Sequence, residues 1–235
     1  MTKTKTRRSF GEAATTTLAE IALASRAPAE ALRHALALEH ASAASGLDGR
    51  RAAAVVCVAE AWLALHQKSG ARGFATEGTK NASSSSSSPP PPRVTYASMA
   101  RDALDAHMPA LLGAGGLALR CRARLCAAKA RLWTSEDVAA LREDRVSIFA
   151  PLEDAAAWAR LCGAAEAEAE AHYLRATTYD ALGERAPRNE AAREWRRCER
   201  RVREARGARS RGGSETPPTR PVSYTHLTLP TILLV

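Results

Sequence analysis

The stretches AAEAEAEAHYLRATTYDALG, residues 164–183, and RNEAAREWRRCERRVREA, residues 188–205, decide the fold class of this chain. In the first, Ala169, Tyr173, Ala176 and Tyr179 recur at steps of three and four, and Gly183 follows Leu182 as a stop. In the second, Ala191, Trp195, Cys198 and Val202 recur in the same way. That spacing gathers each set on one side of an α-helix. Two consecutive helices with small and apolar stripes bury those stripes against each other, which predicts a helical hairpin.

Working outward, the same pattern recurs upstream. LALRCRARLCAAKARLW, 117–133, is followed by SED at 135–137, whose capping residue and early acids restart a helix, and by Pro151, which marks a further start through LEDAAAWARLCG. Before it, AAAVVCVAEAWLAL lies in a helix over 50–68 apolar enough to be buried on several sides, and YASMARDALDAHMPALL forms a helix over 96–112. Pro109 falls in the last turn of the latter, and GAGG at 113–116 ends it. At the front, Leu18, Ile21 and Leu23 punctuate 11–26, then Pro28 opens a helix through Ser45 that Gly46 stops. Four hairpins, 11–45, 50–112, 117–163 and 164–206, therefore follow one another. Each needs its neighbours to bury its faces, so the expectation is an all-α helical-hairpin solenoid.

Composition agrees. Aromatics are 5% of the 235 residues while Ala is abundant, so packing must rest on close helix contact through small side chains. The formal charge of +9 is concentrated at the ends, with four basic and no acidic residues in 1–10 and a basic excess after 187. Basic groups confined to a solvated start and a last helix argue for tails rather than a nucleic-acid-binding face. Residues 1–10 and 207–221 read as basic disordered segments. Residues 71–93, with six consecutive serines at 83–88 and four prolines at 89–92, read as a disordered insertion within the second hairpin, and the serines as phosphorylation candidates. VSYTHLTLPTILLV, 222–235, changes composition abruptly; it resembles sequencing-adaptor read-through and is set aside from the fold.

The five cysteines, Cys57, Cys121, Cys126, Cys162 and Cys198, contain no C-x-x-C pair and no His at zinc spacing, so no metal site is expected. They lie in helical patterns as small hydrophobes, which fits a reducing compartment, nucleus or cytosol. His34, His40, His66, His107 and His172 are scattered over different helices. Glu166, Glu168 and Glu170 alternate at two, so they do not converge and read as a solvated face and its flank. Trp62, Trp158 and Trp195 sit among alanines as core residues. No nucleophile motif or phosphate loop is present, no cofactor is implied, and no apolar run reaches membrane length. The sequence therefore points to no catalytic, cofactor-binding or metal residue.

The last hairpin matches a tetratricopeptide unit, with small and aromatic positions on both helices. More specifically, ALDAHMPALLGAGGLALRCRARLCAAKARL, 103–132, and LEDAAAWARLCGAAEAEAEAHYLRATTYDALGERAPRNEAAREW, 152–195, resemble the C-terminal tetratricopeptide region of anaphase-promoting complex subunit 5. The HMPALLGAGG break, the RARLCAAKARL helix and the turn at ERAPRN, longer than the repeat normally uses, carry that resemblance. Residues 11–70 look like an earlier hairpin of the same array, and the chain looks like a C-terminal fragment. The resemblance implies a right-handed superhelix in the platform of a nuclear and cytoplasmic ubiquitin ligase of the mitotic cell cycle. It implies a scaffold with no catalytic residues and with the other subunits of that complex as partners. Two other classes compete on the residues alone. A free-standing tetratricopeptide adaptor needs a Lys, Arg and Asn clamp across successive helices, which is not visible. A basic helical RNA-binding protein would use the run Arg193–Arg211, in which Arg196, Arg200 and Arg203 share one side.

Overall fold

A computed structural model describes residues 16–69, 95–135 and 137–211 of the chain. The expected segments 1–10, 71–93 and 222–235 lie outside these residues. Among the described residues the protein is all-helical: α1 (16–24), α2 (Pro28–Ala44), α3 (Asp48–Lys68), α4 (Tyr96–Ala114), α5 (Leu117–Thr134), α6 (Val138–Glu143), α7 (Arg145–Leu161), α8 (Ala165–Ala181) and α9 (Arg185–Arg211).

Local sequence sets the boundaries. Pro28 begins α2 in the first turn, where its missing N–H has no partner to lose. Thr95 and Ser98 cap α4 reciprocally: Ser98 N–H donates to Thr95 Oγ1 at 3.1 Å and Thr95 N–H to Ser98 Oγ at 3.0 Å. Asp137 caps α6 by accepting from the Ala140 N–H at 2.8 Å.

Four of the connections close in one way. After α2, α7 and α8 the left-handed residue is Gly46, Gly163 or Gly183, with φ of 64°, 72° and 78°. The next residue's N–H returns to a carbonyl five positions back: Leu47 to Ser42, Ala164 to Ala159 and Glu184 to Tyr179. Between α1 and α2 the same closure is made at Arg26, φ 58°, with Ala27 donating to Ala22 at 2.9 Å.

Several boundaries differ from the sequence expectation. α4 continues five residues past Pro109, to Ala114, so only Gly115 and Gly116 separate it from α5. Pro151 does not start a helix; it is buried inside α7, which runs unbroken from Arg145. An interior proline costs roughly 3 kcal/mol. Burial of Ile148, Phe149 and Leu152 from the same helix opposes that cost. The long turn expected at ERAPRN is not a turn: Arg185–Asn189 form the first turn of α9, with Pro187 early enough to be tolerated, and only Leu182–Glu184 link the helices. α9 also runs five residues beyond the expected end at 206.

Each helix packs on the one before and the one after, with α5 reaching past the short α6 to α7. In addition α3 touches α5, and α5 touches α8. Ala19 and Ala22 of α1 pack on Cys57, Val58 and Ala61 of α3. Alternate helices α1, α3, α5 and α8 thus form one continuous layer, and α2, α4, α7 and α9 lie along it. Small side chains permit this: Ala31, Ala35, Ala54, Ala59, Ala61, Ala100, Ala123, Ala130, Ala155 and Ala171 are all fully buried. The core is a chain of clusters rather than one centre. One joins α3, α4 and α5, another α5, α7, α8 and α9, and Trp133 packs against both.

Candidate functional site

Charged side chains run between the helices of the layer, and at its far end they converge on a buried polar cluster. Arg122 of α5 holds Glu60 of α3 through two bonds, Nε to Oε1 at 2.9 Å and Nη2 to Oε2 at 2.7 Å, and reaches Glu20 of α1 at 3.3 Å. One guanidinium fork therefore spans three helices of the layer. Beside it, burial and the Glu60 carboxylate push the Cys57 thiol up to about 11, which leaves it an inert packing group at neutral pH. Burial pulls the Lys129 ammonium of α5 down, but Glu170 of α8 at 2.5 Å more than restores it, so Lys129 keeps its charge.

The third junction is the deepest. Glu168 of α8 is 1% exposed. It accepts from Arg160 Nε of α7 at 2.9 Å on Oε1 and from Arg201 Nη2 of α9 at 2.5 Å on Oε2. Burial raises its carboxyl, and the two guanidiniums outweigh that and hold it below the ordinary carboxylate value. The expectation of a solvated Glu166, Glu168 and Glu170 face is thus overturned at its centre. Glu168 is on the inward side of α8 because that helix is covered by both α7 and α9. Glu166, by contrast, stays exposed and pairs with Arg206 at 2.6 Å.

Two further buried groups meet Glu168. His172, one turn along α8, is 3% exposed, and neither ring nitrogen has a hydrogen-bond partner. Burial and then Arg175 lower its pKa, so the imidazole is neutral. An unmet buried ring N–H costs about 1–3 kcal/mol. Cys198 of α9 is 1% exposed; Arg201 Nη2 lies 3.0 Å from its Sγ, and burial raises the thiol. Donor atoms of Glu168, His172 and Cys198 all lie within 4.8 Å of one another. Above them a groove of about 420 Å³ is lined by Arg160, Glu168, Glu194, Arg197, Arg200 and Arg201.

The other singled-out residues are placed differently. His66 is buried and stacks on Trp133 at 5.5 Å, His40 is exposed, and His34 and His107 are half-buried. Four cysteines are buried as expected, whereas Cys162 is exposed at the end of α7. Trp62 and Trp158 pack on core clusters; Trp195 is half-buried, tilted on Tyr173 at 5.9 Å. Arg196, Arg200 and Arg203 do share an exposed side of α9, with Arg203 paired to Glu199.

The trio was only half legible in sequence. Glu168 and His172 stand four apart on a helix, a readable spacing; Cys198 reaches them only through the α8–α9 hairpin. No protein family, no curated protein and no solved structure matches this chain. No helix among the described residues is long and apolar enough to cross a membrane.

Proposed function

We propose that the protein is a non-catalytic scaffold, a tetratricopeptide-like superhelix of helical hairpins that holds other proteins on its surfaces. The observation that carries this reading is the continuous layer of α1, α3, α5 and α8, because contact between alternate helices is how tandem hairpins stack into a solenoid. Apolar side chains left uncovered add to it. Leu18 and Ile21 of α1 are 45% and 55% exposed, and Val146 and Leu161 of α7 are 78% and 72% exposed.

The particular assembly rests on the resemblance at 103–132 and 152–195: the scaffold serves in the anaphase-promoting complex, with its other subunits as partners and the nucleus and cytoplasm as its place of work. Catalysis there falls to other subunits. The test is affinity purification of the tagged chain from mitotic cells, with bound proteins identified by mass spectrometry. Recovery of cullin-like and RING-type ligase subunits supports the assignment. Recovery of ribonucleoproteins alone, lost with residues 193–211, overturns it in favour of RNA binding.

A further inference from the structure

We propose that Glu168, His172 and Cys198 form a zinc-binding site that Arg201 occupies and guards in the metal-free protein. A carboxylate, an imidazole and a thiolate are the oxygen, nitrogen and sulfur donors that suit Zn²⁺, and three protein ligands leave a fourth position open. All three residues are buried, and their donor atoms already lie within 4.8 Å of one another. Tetrahedral zinc with bonds of about 2.0–2.3 Å separates its donors by roughly 3.5 Å, so the donors need to close by about 1 Å.

Two observations besides the clustering point to a cation. The first is His172, buried with both nitrogens unpartnered although a carboxylate and a thiol stand beside it. His66 also leaves both nitrogens unmet, but it is stacked on Trp133 and belongs to no donor group among the described residues, whereas His172 has a carboxylate and a thiol within 4.8 Å. The second is the position of Arg201. Its Nη2 touches both Glu168 Oε2 and Cys198 Sγ, so a positive charge already bridges two of the three donors.

Arg201 is also removable. Its side chain is half exposed and lines the groove, whereas the three donors are almost fully buried, with only Glu168 reaching the groove wall. Swinging it outward frees Oε2 and Sγ together. Arg160 then keeps its bond to Oε1 and orients the carboxylate as an outer partner. On binding, the Cys198 thiol gives its proton to solvent and the thiolate, neutral imidazole and carboxylate take the metal. Two ligand charges balance Zn²⁺, so the closed site places no net charge beside Arg160.

The test titrates the full-length, reduced, metal-stripped chain with Co²⁺ by absorption and with Zn²⁺ by calorimetry, in a Cys162→Ser background that removes the exposed thiol. One Co²⁺ per chain with a thiolate-to-cobalt charge-transfer band, displaced by Zn²⁺, is expected. Cys198→Ser should abolish the band, and His172→Gln should weaken Zn²⁺ binding at least tenfold. Arg201→Gln, which removes the charge while Arg160 still holds Glu168, should tighten binding by about tenfold because its competitor is gone. The proposal is overturned by absence of the band, by Cys198→Ser and His172→Gln chains that bind as before, or by Arg201→Gln leaving affinity unchanged or weaker.

Discussion

His66 shows how one side chain ties sequence to stability. It sits near the end of α3, 4% exposed, stacked on Trp133 of α5, and burial alone depresses its pKa below the ordinary value of 6.5. The folded state therefore holds a neutral ring, while the unfolded chain takes up a proton at that ordinary value. Stability from this group is complete above about pH 6.5 and is lost as pH falls through and below that value. His66→Phe keeps an aromatic ring against Trp133 and removes the proton. Urea unfolding at pH 7.5 and 5.5 should show a smaller loss for His66→Phe than for the native chain; equal losses would mean that the ring is protonated in the fold. In the sequence His66 was one of six scattered histidines, because nothing local distinguishes a ring that a distant helix covers from one that water covers.

At the level of elements, the repeated closure after α1, α2, α7 and α8 allows a paired prediction. Gly183 has φ of 78° with no atom within 4 Å of where a Cβ would stand, so Gly183→Ala meets only the backbone penalty of the left-handed region, about 1 kcal/mol. Arg26 occupies the same place in the first connection with φ of 58°, and Arg26→Gly should recover up to about 1 kcal/mol. Thermal unfolding of the two variants should move in opposite directions. Movement in the same direction would show that the two connections are not equivalent. The glycine stops were readable from sequence; Arg26 was not, since its conformation is imposed by α2 folding back on α1.

At the scale of the molecule, Trp133 is the one residue among those described that packs against both of the larger core clusters, so it couples the α3–α4–α5 part to the α7–α8–α9 part. In an array whose parts touch only their neighbours, cooperativity depends on such junctions. Trp133→Ala should cost about 3 kcal/mol or more and broaden the denaturant transition, with a lower slope, as the two parts begin to unfold separately. A shifted midpoint with an unchanged slope would locate the coupling elsewhere, in the Lys129–Glu170 and Arg124–Asp154 bridges.

The sequence by itself determined the helices and their order. Three- and four-residue spacing of small side chains, glycine stops at 46 and 183 and Pro28 in the first turn of α2 are local signals, and local physics obeys them. It misread Pro151 as a helix start, because burial of Pro151 and its neighbours inside α7 opposes the proline's cost, and it misread Pro187 as part of a turn, because a proline in the first turn of a helix is tolerated. Only the tertiary structure decided that Glu168 is interior, that Arg160 and Arg201 close on it from two other helices, and that Cys198 joins His172 there. Those meetings depend on which face of α8 is covered twice, which no single helix encodes.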